Sequence, residues 1–232
     1  MRMKQRQQMQ NNFMENLKKS RWILTAVILT AVFITFTLVV RFFDIQTDHT
    51  VNVGCATINF WWRDIIGVQK TWKIVSDIIA FVAILLVGVI LAWQFLTLRY
   101  CKKLNKLPTH WWFFDLALIV LLVSYCFFQI LIINYRPFIA GVAEAAYPSS
   151  HILLLATVCP LVIITVSKEL KAKAWRFFST VLGLLIMSLG IVARVLSGYH
   201  WLTDSIGGIL LGSAIVAWYQ FFCTKSCQQI NN

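Results

Sequence analysis

The sequence predicts an all-α, polytopic membrane bundle of about six transmembrane helices with both termini cytoplasmic. Three observations predict it. The chain of 232 residues is 59% hydrophobic and only 13% charged, far from the composition of a soluble domain. Several apolar runs reach the roughly 18 to 20 residues that cross a hydrocarbon core as a helix. The basic residues gather in short segments between those runs, and the alternation that marks a membrane barrel is absent.

Taken in order, residues 1–21 form a basic tail, with Arg2, Lys4, Arg6, Lys18, Lys19 and Arg21 against Glu15 alone. Trp22 to Val40 follows without a charge and is too long for a signal-peptide core, so it reads as an uncleaved first span. Residues 41–74 mix Asp44, Asp48 and Asp64 with Arg41, Arg63, Lys70 and Lys73. Trp61, Trp62 and Trp72 place that loop at the headgroup level. The second span is Val75 to Leu98, with Asp77 near its start, and the third is Trp111 to Asn134. The fourth runs from His151 to Val166 with Pro160 inside it, where a kink is expected. The fifth is Phe177 to Leu196 and the sixth Thr203 to Phe222. The organisation is therefore a tail at 1–21, a six-span membrane domain at 22–223 and a short cytoplasmic tail at 224–232.

Lys and Arg number six in the tail, four in 99–110 and four in 167–176, against one each in 135–150 and 194–204. The positive-inside rule then puts both termini in the cytoplasm. The same rule explains the net charge of +12 without a nucleic acid, for which no binding pattern is present. Cys55, Cys101, Cys126, Cys159, Cys223 and Cys227 show no metal-ligand spacing with His and read as unpaired thiols.

This topology gathers Arg136, His151, Arg194, His200 and Asp204 at the outer face. Each has an ordinary reading alone. Arg136 can snorkel, Ser149 can cap a helix, and Asp204 can cap the last span. Together they suit phosphoryl chemistry. His200 is a nucleophile whose far ring nitrogen Asp204 can hold. Tyr147–Pro148–Ser149–Ser150–His151 makes a helix start, where N–H groups bind phosphate oxygens. His151 in its first turn can protonate a leaving oxygen. Arg194 offers a planar fork to the phosphate, and Gly198 the turn that brings it over His200.

Arg136–Pro137, Pro148–Ser149–Ser150–His151 and Arg194-x5-His200-x3-Asp204 resemble the three motifs of the type-2 phosphatidic acid phosphatase and vanadium haloperoxidase superfamily. Those motifs read K-x6-R-P, P-S-G-H and S-R-x5-H-x3-D, and the resemblance covers roughly residues 129–212. It implies His200 as nucleophile, Asp204 as its partner, and His151 as the acid. It implies Arg136, Arg194, Ser149 and Ser150 as the phosphate cradle, with no cofactor and no metal. Three positions depart from the motifs. Gln129 stands where the family has Lys, so it keeps a hydrogen bond but no charge. Ser150 replaces Gly, and Ala193 replaces Ser. Arg41, Arg63, Lys70 and Lys73 are candidates to offset the missing cation.

The expected function is a metal-independent phosphatase acting on a lipid phosphate or isoprenoid diphosphate at the outer face, through a phosphohistidine. A bacterial cytoplasmic membrane is the expected location, with membrane lipids as surroundings. A lipid phosphotransferase would share the same intermediate. A non-catalytic lipid-phosphate binder or transporter is the alternative of another class, with Gln129 as its best support and the His200–Asp204 pair against it.

Overall fold

The computed structural model describes residues 2–49, 51–101, 108–137 and 144–231. Seven helices and one small hairpin are described. Helix α1 spans Arg2–Phe42, and strands β1 (Gln46–Asp48) and β2 (Val51–Val53) pair antiparallel with Gln46 opposite Val53. Helices α2 (Ala56–Ile66), α3 (Lys70–Cys101), α4 (Thr109–Ile130), α5 (Ser150–Glu169), α6 (Lys173–Leu196) and α7 (Leu202–Asn231) complete the order.

Six of these helices are long and apolar enough to cross a membrane: α1, α3, α4, α5, α6 and α7. The protein is an integral membrane protein with a polytopic helical fold. Half of the most apolar stretch of α5 and of α7 is buried, against 17% in the other four. α5 and α7 are therefore the central pair, and α1, α3, α4 and α6 surround them. The outer helices turn Leu24, Phe81, Trp93, Leu122 and Leu185 outward. So much exposed apolar surface is stable only against lipid.

Small residues let the central pair meet closely. A Cβ on Gly208 of α7 would lie 3.0 Å from the Ser149 carbonyl oxygen, and one on Gly212 would lie 2.8 Å from the Ala156 Cβ. Around them, one cluster packs Phe114, Leu153, Leu161, Ile215 and Tyr219. A second joins Phe33 and Val40 of α1 to Phe128 and Tyr147.

The apolar spans lie close to where the hydrophobic pattern places them, but α1 reaches back to Arg2 and α7 on to Asn231 through the stretches expected as tails, and two further differences are informative. α3 starts at Lys70, so Lys73 and Asp77 are helical and lie on one face. α4 stops at Ile130, short of the expected Asn134. The chain there turns extended because Asn134 has other partners: its Oδ1 accepts from Gly54 N at 3.2 Å, and its Nδ2 donates to Asp204 Oδ1 at 3.4 Å. α5 runs unbroken past Pro160.

Residues 41–69, which composition leaves as a loop, are built structure. The hairpin and α2 close over the end of the bundle where the site lies. α2 buries Ala56 and Asn59 while Ile58, Trp61 and Ile65 stay exposed, the pattern of a helix resting at an interface. Asn59 binds the start of α7, its Oδ1 accepting from Thr203 N at 3.2 Å and its Nδ2 donating to Thr203 Oγ1 at 2.9 Å.

Candidate active site

His200 sits in the short turn between α6 and α7. Gly198 makes that turn with φ +70, and a Cβ there would collide with the Gly67 carbonyl oxygen. Gln69 N donates to Ser197 O at 2.9 Å, so the α2–α3 junction is clamped onto the same turn. Arg194 is in the last turn of α6, and Asp204 is in the first turn of α7.

The His200 ring is buried, and its Nδ1 lies 3.1 Å from the Ala146 carbonyl oxygen. A carbonyl oxygen only accepts, so Nδ1 carries the proton and Nε2 presents a lone pair. Asp204 Oδ2 is 3.6 Å from the same Nδ1. A backbone carbonyl thus makes the hydrogen bond to Nδ1, and the expected Asp204 carboxylate stands behind it. Asp204 also performs its ordinary duty, its Oδ2 accepting from Trp201 N at 3.0 Å to cap α7. Burial pushes the His200 imidazole well below the usual histidine range, and the charges of Arg194 and Arg136 push the same way. The free ring is neutral at physiological pH.

The residues before α5 are held from three sides. Tyr147 OH and Thr37 Oγ1 are hydrogen-bonded at 2.8 Å, and the Tyr147 ring lies against Phe33 and Phe128. Ser149 N donates to Asp204 O at 3.0 Å. That N–H is thus taken, and the donors left at the helix start are the backbone N–H groups of Ser150, His151 and Ile152. Arg136 is fixed by a bridge between Tyr135 and Ala145 and by an ion pair with Glu144 at 3.0 Å. The Trp201 indole N–H donates to Tyr135 O at 2.6 Å, tying that loop to the His200 turn.

Sequence reasoning gave Asp77 no role, although a lone carboxylate in an apolar helix was signal enough. Its Oδ1 lies 3.0 Å from His151 Nε2 and 3.2 Å from Arg194 Nη1, and its Oδ2 lies 2.7 Å from Lys73 Nζ. Of the candidate offsetting cations, Arg63 is paired with Asp48 at 2.7 Å and lies over the rings of Phe60 and Trp201. Arg41 donates to Ile132 O. Lys73 is the one whose partner reaches the site. Gln129 is exposed on the last turn of α4, and no described hydrogen bond joins it to the others.

His151, Arg194, His200 and Asp204 are thus brought together, with Arg136, Ser149 and Ser150 around them. Arg136 Nε, Ser149 Oγ, His151 Nδ1, Arg194 Nε and His200 Nε2 are all buried without a hydrogen-bond partner. Ten buried side-chain atoms among the described residues lack a partner, and half of them belong to the motif residues, the pattern of a site that takes a polar ligand. The donors and cations dominate, so that ligand is an anion. Next to it an apolar cavity of about 340 Å³ opens between α3, α4 and α5, walled by Ala80, Ile84, Leu118 and Leu121, with Ser150 and His151 at its polar edge.

No protein-family profile matches the sequence, and no curated protein matches it either. In three dimensions the chain is similar to a transmembrane PAP2-type phosphatidylglycerolphosphate phosphatase from Bacillus subtilis. The TM-score is 0.58 at 18% identity, over 90% of this chain and 98% of that one. The protein has the fold of a PAP2-type membrane phosphatase.

Proposed function

We propose that the protein is a membrane lipid phosphatase that works through a phosphohistidine on His200, with its site on the outer face. The buried, partnerless polar atoms of the motif residues, His200 Nε2 among them, carry this reading. The fold shared with a PAP2-type phosphatase supports it.

The Nε2 lone pair attacks phosphorus, and the bond from phosphorus to the leaving oxygen breaks. His151 gives that oxygen a proton. Arg136, Arg194 and the free N–H groups of α5 share the charge on the remaining phosphate oxygens. The phosphorylated ring is cationic, since Nδ1 keeps its proton. The Ala146 carbonyl at 3.1 Å and the Asp204 carboxylate at 3.6 Å stabilise that cation. Water then attacks phosphorus with His151 taking its proton, and Nε2 leaves with its electron pair. Orthophosphate and a lipid alcohol, or a lipid monophosphate from a diphosphate, are the products.

The apolar cavity beside His151 suits the chain of a lipid that enters sideways from the bilayer, its headgroup meeting the start of α5. The test is phosphate release by the purified protein, in chelator, from a panel of phosphatidic acid, phosphatidylglycerol phosphate and an isoprenoid diphosphate. Turnover of at least one is expected, with a loss of roughly 10⁴-fold or more in His200→Ala. Undiminished turnover in that variant would remove His200 from the chemistry.

A further inference from the structure

Asp77 sits among the groups assigned above to the phosphate and its leaving oxygen. One carboxylate oxygen touches both His151 Nε2 and Arg194 Nη1, the groups assigned to the leaving oxygen and to the phosphate. The other touches Lys73, one turn earlier on α3. Lys73 Nζ also lies 5.6 Å from the centre of the Tyr199 ring, beside His200 in the α6–α7 turn. The Lys73 and Asp77 side chains are 38% and 37% exposed, so their pair is readily exchanged for another. Gln129 meanwhile leaves the first motif without its cation.

We propose that Lys73 is a phosphate-binding residue that replaces the missing motif cation, and that Asp77 is an internal anion that competes with substrate phosphate for the same groups and is displaced by it. The inference rests on the phosphate-site reading above. Asp77 keeps Arg194 and His151 from facing each other without a counter-charge. A phosphate brings more negative charge and more acceptor atoms than a carboxylate, so it takes Arg194, His151 and Lys73 together. Nε2 of His151 is then free to face the leaving oxygen. Competition with Asp77 makes the site selective: an anion no stronger than a carboxylate gains little by displacing one. No covalent step is added.

Orthophosphate binding to the purified full chain in detergent, read by thermal-shift titration beside lipid phosphate turnover, tests this. Asp77→Asn should tighten orthophosphate by about tenfold, because the competing charge is gone, and Lys73→Met should weaken it by about tenfold. Lys73→Arg should recover affinity to within about twofold by keeping the charge. Lys171→Met, at an exposed lysine between α5 and α6 at the other end of the bundle, should leave it unchanged. Unchanged or weaker binding in Asp77→Asn, or unchanged binding in Lys73→Met, would overturn the proposal. A purely structural Asp77 would instead lower melting temperature and turnover with no gain in orthophosphate affinity. If the wild type neither binds orthophosphate nor turns over, the phosphate-site reading falls and takes this inference with it. If the wild type does both while the variants keep its affinity, the inference alone falls.

Discussion

At the scale of residues, the site depends on which nitrogen of His200 carries the proton. The Ala146 carbonyl decides it, and Asp204 adds charge behind. Asp204→Asn should therefore cost only about 10- to 100-fold in kcat, less than in sites where a carboxylate alone fixes the tautomer. Its amide oxygen still accepts from Trp201 N while its amide nitrogen faces the Asn134 Nδ2 donor, so the melting temperature should fall, but by less than in Asp204→Ala. A loss near 10⁴-fold would mean that Asp204 alone sets the tautomer. Asp204→Ala removes the cap as well and should destabilise by about 1 kcal/mol or more, read as a lower melting temperature. The depressed His200 pKa has a definite sign: the neutral ring persists as pH falls through the ordinary histidine range. Imidazole nitrogen NMR of the free protein should show protonated Nδ1 and bare Nε2 still at about pH 5.5, below the ordinary histidine range. A ring that charges near pH 6.5 would contradict the buried environment.

Most of these residues were legible because each departs from an apolar background. Arg136, His151, Arg194, His200 and Asp204 are ionisable groups in a chain that can afford few of them. The Ala146 carbonyl was not legible, since every residue has one and only geometry selects this one. Asp77 was visible as a charge near a span entry. Its role stayed hidden because its partners come from α5 and α6, far away in sequence.

At the scale of elements, the six spans could be read from length and hydropathy, which report the thickness of the bilayer rather than any particular packing. The built loop from β1 to α2 could not. Its stabilisation comes from Asn59 and Asn134 reaching into α7, and a lone Asn carries no periodic signal. The end of α4 was misplaced for the same reason, because a polar partner rather than hydropathy ends the helix. The α6–α7 turn is the element most sensitive to change. Gly198→Ala puts a Cβ into the Gly67 carbonyl at a positive φ. It should cost roughly 2 kcal/mol or more and shift the His200 turn. A lower melting temperature together with reduced turnover is the expected result. Wild-type values for both would show that the junction with Gly67 does not position the site.

At the scale of the whole molecule, the fold brings the motif residues to one end of the bundle, and the positive-inside rule predicts that this end faces outward. Lys70 lies at the site end and Lys171 in the basic α5–α6 turn at the other, and both are exposed. In sealed cells, a membrane-impermeant thiol reagent should label Lys70→Cys and spare Lys171→Cys. The reverse pattern would turn the site inward and make its substrate a lipid of the inner leaflet.

The central claim is that phosphorus is bonded to His200 during turnover, and rapid quenching tests it most directly. Protein mixed with a lipid substrate carrying radiolabelled phosphate and stopped in alkali should retain label on the chain. That label should vanish on brief acid treatment, as a phosphoramidate bond requires, and should be absent from His200→Ala. Label that survives acid, or that persists in His200→Ala, would contradict the account.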